Sequence, residues 1–257
     1  MSAGQTQGVH LMAAYLPQQG VVLAQVQVAS HTNEITAAPT LLKALDLRAV
    51  VVTGDAMHAQ RDLSVQIVEA DGDYLWTVKD NQPDLREEIA TLFAPTTPLP
   101  ATSTLAMDLR TARTTEKGHG RLEVRTLTAS SDLAGYSTWP HVAQVFRLES
   151  RTTDALGQIR TDIRYGITSL PAHVADAARL LELTCGQWGI ENGLHYRQDV
   201  TFQEDRSQLR MGRAPEVLAA LNNTAIGLFL LRHHHNVAQA RRSFAYHFDR
   251  ALATLAA

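Results

Sequence analysis

The sequence predicts an α/β fold, with a mixed sheet flanked by helices. Three observations point there. The β-branched run Val50-Val51-Val52 ends on Gly54 and Asp55, as a buried strand does ahead of a helix. Apolar pairs at helical spacing, such as Leu63 and Ile67, alternate with runs of this kind. Between about 105 and 170 the pattern turns to short alternating strands, and a helical C-terminal part follows. The expected division is 1–93 for the first part of the core, 94–170 for a β-rich insertion, and 171–257 for the helical remainder.

Residues 9–15 and 21–28 read as a hairpin turning through Pro17 and Gly20. Thr32 or Asn33 can cap the next helix, whose apolar stripe is Leu41, Leu42 and Leu45; Pro39 fits only near its first turn. A strand at 49–54 leads to Asp55. The following helix should stop at Asp71-Gly72, with the glycine in the left-handed cap conformation. Tyr74–Val78 is the next strand, and Pro83 opens a helix to about Phe93. The Pro-rich stretch 94–100 breaks regular structure. Strands are then expected at 121–125, 142–148 and 159–167, with a turn at Asp154–Gly157. Pro171 starts a helical series through Val174, Ala178, Leu181 and Cys185 to Glu191. Helices over 214–232 and 236–254 complete the chain, the first with an apolar face of Val217, Leu218, Leu221, Ala225, Leu228 and Phe229.

Composition narrows the function. With 257 residues and 45% apolar content the chain can bury a substantial core. No stretch offers the roughly 18 uninterrupted apolar residues of a membrane span, and the N-terminus lacks a signal-peptide pattern, so the expectation is a cytoplasmic protein with no membrane partner. The single cysteine, Cys185, reads as an inert small hydrophobe. Net charge is −3, but unevenly spread: from Arg197 onward eight Lys and Arg face five Asp and Glu, giving +3 and leaving −6 on the first 196 residues. Arg206, Arg210, Arg213, Arg241 and Arg242 are therefore the candidate phosphate contacts, with a solvated helix face as the plain alternative. His233–His235 cannot all grip one ion from adjacent helical positions and read as a structural or loop feature.

Two blocks carry the chemistry: Val51-Val52-Thr53-Gly54-Asp55-Ala56-Met57-His58 and Gln187-Trp188-Gly189-Ile190-Glu191-Asn192-Gly193-Leu194-His195-Tyr196. On the residues alone, Asp55 serves equally well as a helix N-cap or as a metal ligand, and Glu191 is by default a solvated helix residue. With Asn33-Glu34-Ile35, Leu45-Asp46-Leu47, Tyr74–Lys79 with Asn81-Gln82, His119–Arg125, and Asp199–Phe202 with Glu204-Asp205, these blocks fall in the order of a known family. The chain resembles the insertion-sequence transposases of the H-repeat-associated group, whose catalytic domain is RNase H-like and uses two Asp and one Glu.

The resemblance implies Asp55 and Glu191 as catalytic metal ligands, Mg²⁺ or Mn²⁺ as cofactor, insertion-sequence DNA ends and a second copy of the chain as partners, and DNA strand cleavage and transfer as the activity. His58, His195 and Asp199 are supporting candidates; in a continuous α-helix Glu191, His195 and Asp199 share one side. The family's first Asp, in an Asp-Gly-Lys context upstream of Val9–Ala14, has no counterpart: the acidic residues ahead of Asp55, Glu34 and Asp46, already have other places in the pattern. The expectation is a truncated, inactive copy lacking the first strand, with weak metal binding. The gap would leave the chain poorly soluble and partly unfolded, or would be closed by pairing 9–15 directly with 49–54 or by accepting a strand from another copy. The alternatives are a non-catalytic DNA-binding remnant that interferes with an intact transposase, and a metal-dependent hydrolase using His58, Asp55, His195 and Glu191 on another substrate.

Overall fold

The computed structural model describes residues 10–94, 107–118, 120–187, 189–209 and 211–256, apart from the side chains of Glu191, Asn192, Asp205, Leu255 and Ala256. In chain order the elements are β1 (His10–Leu16), β2 (Val21–Val28), α1 (Glu34–Lys43), β3 (Val51–Gly54), α2 (Arg61–Glu69), β4 (Asp73–Val78), α3 (Pro83–Leu92), β5 (Arg110–Gly118), β6 (Arg121–Ser130), β7 (Gln144–Thr153), β8 (Ile159–Thr168), α4 (Ala177–Gly186), α5 (Ala214–Leu231), α6 (Val237–Tyr246) and α7 (Phe248–Ala256). They fall into two compact units, Met1–Leu45 with Trp188–Ala257, and Asp46–Gln187. The α/β class holds: a six-stranded mixed sheet has helices packed on it.

In the first unit β1 and β2 form an antiparallel hairpin, with a bulge between Ala14 and Tyr15. The turn between them holds Gly20 at φ +70°. The Asn33 side chain caps α1 by accepting from the Thr36 amide, satisfying one of the amides a helix start leaves unpaired. Pro39 lies mid-helix rather than in the first turn. Leu41 and Leu42 still bury their side chains beyond it.

The second unit is the larger. Its sheet has the order β3-β4-β8-β7-β6-β5, with β3 and β4 parallel and every other pair antiparallel. Helix α2 is the crossover that a parallel pair requires. The strands of the expected insertion are nine or ten residues long, not short, and they continue the β3–β4 sheet. Leu75, Leu127, Phe146 and Leu148 on this sheet pack with Leu180 and Leu181 of α4 in one core cluster. A second polar core ties Trp76 and Trp139, whose indole N–H groups both donate to the Ser64 hydroxyl, at 3.0 and 3.3 Å.

Several local expectations are corrected. The left-handed residue after α2 is Asp71 (φ +58°), not Gly72; Gly72 is needed because a Cβ there would lie 2.9 Å from the Leu47 carbonyl oxygen. Helix α4 starts at Ala177 under an Asp176 cap, six residues after Pro171, and leaves Val174 and Ala178 outside the buried face. The C-terminal helix breaks at His247. Helix α5 buries Ala219, Asn223, Ile226 and Gly227, while Val217 and Leu221 of the expected apolar face are 53% and 62% exposed. This helix is apolar nearly all round, so periodicity could not select its buried side; Asn223 decides it, by donating to Gln25 and accepting from Gln198. Helix α5 is also long and apolar enough to cross a membrane, by length and composition.

Among the described residues, no ladder joins the segment expected at 9–15 to the one expected at 49–54. Among the described residues β1 has β2 as its one ladder partner, and β3 has β4.

Candidate functional site

Asp55 follows the carboxyl end of β3, the usual place for ligands in sheets with parallel strands. It stands ahead of a short 3₁₀ turn, Ala56–His58, yet its side chain makes no cap hydrogen bond to that turn. The carboxylate is exposed, and its Oδ1 accepts from Gln187 Nε2 at 3.3 Å. The cap reading therefore fails on geometry, and the oxygens are left available to a ligand. The backbone behind it is braced: Asn81 Nδ2 donates to the Ala56 carbonyl at 2.6 Å, and Gln82 Nε2 to the Ala59 carbonyl at 3.0 Å. Nothing local in the sequence marks these two amides as braces of the Asp55 turn.

His58 is buried, at 8% exposed. It packs on Gly54, where an added Cβ would come within 3.1 Å of the imidazole and 3.2 Å of the Trp76 ring. Its place is packing beneath the Asp55 turn.

Gln187 is the C-cap residue of α4, and the chain runs on from it through the second acidic block. Trp188 and the Glu191 side chain lie outside the described residues. The backbone of Glu191–His195 and Arg197–Phe202 is π-helical. Such i→i+5 turns are wider than α-helical ones, so the shared side expected for Glu191, His195 and Asp199 does not carry over. They are also over-represented at functional sites. Arg197 is used locally, donating to the Gly193 carbonyl and lying beside Tyr15. Burial raises the Tyr15 hydroxyl pKa, and the Arg197 charge works against it. Among the described residues no group of three or more His, Cys, Asp or Glu is placed to hold a metal ion, and that includes the His233–His235 run. His233 takes φ +62°, and His234 packs edge-on against Phe229 and Phe244.

The candidate phosphate contacts differ among themselves. Arg213 forms a forked ion pair with Glu216, at 3.0 and 3.2 Å, which raises its pKa and lowers that of the carboxyl. Arg241 stacks over Phe202 at 5.1 Å and donates to the Thr201 carbonyl. Arg242 and Arg206 are exposed, and Arg210 lies outside the described residues. Arg241 and Arg242 line a groove of about 1010 Å³ together with Tyr196, Arg197, His235 and Tyr246. Cys185 is half-buried, and burial pushes its thiol up, which suits an unreactive side chain.

Comparison with known proteins defines the class. The Transposase DDE domain family matches residues 2–228, and the chain belongs to this family. Among curated relatives, "Putative transposase YncI" of Escherichia coli O157:H7 is 32% identical over 229 residues, which is 86% of this chain and 56% of the relative. "H repeat-associated putative transposase YhhI" of Escherichia coli (strain K12) is 30% identical over 86% of this chain and 58% of its own length. The chain thus spans a little over half the length of these relatives.

Proposed function

We propose that this chain is part of a transposition protein in which Asp55 and Glu191 supply two carboxylates to a Mg²⁺ or Mn²⁺ centre for DNA strand cleavage and transfer. The observation that carries this is the Asp55 carboxylate, exposed at the end of β3, released from capping and held on a braced turn. A carboxylate is the donor hard divalent ions take. Such ions, when bound, stabilise the attacking and leaving oxygens of an in-line phosphoryl displacement. Gln187, four positions before Glu191, already reaches Asp55, which supports bringing the second acidic block to the same place. The family resemblance implies an RNase H-like order whose first strand carries the third carboxylate. The segments 1–93, 94–170 and 171–257 stay our functional division, His58, His195 and Asp199 our supporting residues, and a cytoplasmic dimer acting on insertion-sequence ends our expected assembly.

With two carboxylates the chain as given should bind metal weakly and leave DNA uncut. The test is cleavage of a duplex carrying insertion-sequence ends in Mn²⁺, by the chain alone and by the chain extended upstream with an Asp-Gly-Lys strand. The extended chain should cut, and Asp55→Asn or Glu191→Gln should each abolish cutting. Cleavage by the extended chain that survives both changes would refute the site. A second reading, a DNA-binding remnant that interferes with an intact transposase, is favoured by the exposed Arg206 and Arg242; it predicts DNA binding with no cleavage in either form.

A further inference from the structure

The sheet carries a basic surface that net charge conceals. In the outer parts of the β5–β6 and β7–β8 hairpins, residues 113–125 and 147–164, eight Arg and Lys stand against five Asp and Glu. All five acids are occupied. Glu116 and Glu123 both pair with Arg125 at 3.1 and 2.8 Å, Glu149 with Arg147 at 2.6 Å, and Asp162 with Arg164 at 2.7 Å. Asp154 accepts from the Leu156 and Gln158 amides of its own turn. The other five cations, Arg113, Lys117, Arg121, Arg151 and Arg160, are exposed, and among the described residues none has an acidic partner.

The strand register places three of them together. Lys117 lies in the row Lys117–Leu122–Thr153–Ile159, Arg151 in the row Thr115–Val124–Arg151–Thr161, and Arg113 in the row Arg113–Thr126–Glu149–Ile163. These rows share one face of the sheet. With strands about 4.8 Å apart and a rise of about 3.3 Å per residue, Arg151 is about 12 Å from both Arg113 and Lys117. Thr115, Thr126, Thr153 and Thr161 stand in the same rows, together with Leu122, Val124, Ile159, Ile163 and the Arg147-paired Glu149. Blunting of an open sheet edge accounts for cations on β5, but Arg151 and Arg121 sit on strands paired on both sides.

We propose that this outer face grips the phosphodiester backbone of duplex DNA, separately from the C-terminal arginines. The inference rests on the DNA-acting reading above and adds a second contact surface to it. Unpaired cations interleaved with hydroxyl donors are the chemistry that backbone phosphates take. The contact reads no bases, so it holds all sequences alike.

The experiment is fluorescence anisotropy of the full chain on a random-sequence duplex across a salt series, for the unmodified protein, for Arg113→Gln/Lys117→Gln/Arg151→Gln, and for Arg241→Gln/Arg242→Gln. Binding strength should fall at least tenfold in the triple variant, and the slope of log affinity against log salt should shrink by about three. Arg113→Lys/Arg151→Lys, which keeps both charges, should bind as the unmodified chain does. An unmodified chain that binds, with a triple variant of equal affinity and slope, overturns this inference and leaves the transposition reading standing. An unmodified chain that binds no duplex overturns both. Loss of binding in the Lys-for-Arg variant as well, with its fold intact, overturns the backbone-charge account.

Discussion

Every residue of β4 from Tyr74 to Val78 is buried, whereas β1 has no buried residue and β2 has one, Val28. The contrast extends to the cores. Among the described residues, Leu75, Leu127, Phe146, Leu180 and their neighbours form a ten-residue cluster on the six-stranded sheet, whereas the cluster beside the hairpin that includes Leu194, Ile226 and Val237 is smaller. A two-stranded sheet is marginal by itself in water, so the hairpin depends on α1 and α5, which pack on β2. The difference predicts where stability resides: the unit bearing Asp55 should be the more stable platform, and the unit bearing Glu191 should open at lower free energy.

The largest effect that sharpens this comparison is expected at Trp76. Trp76→Ala removes a ring that is 1% exposed and its hydrogen bond to Ser64, and should cost about 3–5 kcal/mol in denaturant unfolding. A loss below about 1 kcal/mol would break the view of β4 as the centre of the platform. Leu194→Ala, in the small cluster, should cost less, about 2 kcal/mol. Its signature in hydrogen exchange should be faster amides in β1 and β2 with β4 unchanged; equal acceleration of β4 would show that the two units open together.

Smaller effects test the turn that leads into β4. Asp71→Gly relieves a left-handed conformation at φ +58° and should stabilise by up to about 1 kcal/mol. Gly72→Ala next to it should destabilise, through the contact with the Leu47 carbonyl. The smallest effect is at Asp108. Burial would raise its pKa, but hydrogen bonds from Ser131 and Arg110 outweigh that and hold it below the usual carboxylate range. A depressed folded-state pKa gives stability that is present above the unfolded pKa and lost as pH falls through the folded one. The side chain is 39% exposed, so Asp108→Asn should cost well under about 1 kcal/mol near neutral pH and flatten the acid limb of the melting profile.

Much of the platform was legible in the residues. Leu63 with Ile67 and the Pro83 helix start each state their element locally; Val51-Val52 state β3, though Val50 lies outside it and is 38% exposed, and the strand is half-buried rather than buried. The sequence was silent where several arrangements satisfy the same pattern. Helix α5 is apolar nearly all round, so nothing local marks Asn223 as buried; its partner Gln25 is 198 positions away. The π-helical backbone from Glu191 to Phe202 keeps residues that would also suit an α-helix. At the candidate site, the block around Asp55 is visible in the sequence, but the bracing by Asn81 and Gln82 is not, because they hold another segment's carbonyls. The basic face of β5–β8 was hidden by averaging: charges sum over the whole stretch, while pairing across strands decides which of them remain free.

The proposal most in need of a direct test is that Asp55 and Glu191 each supply a carboxylate to a divalent ion. Titration of Mn²⁺ followed by the electron paramagnetic resonance of the free ion tests it directly. The account predicts weak binding, on the order of millimolar, which Asp55→Asn and Glu191→Gln each remove, the double variant losing no more than either single one. Tight stoichiometric binding, or binding that either variant leaves unchanged, would contradict it.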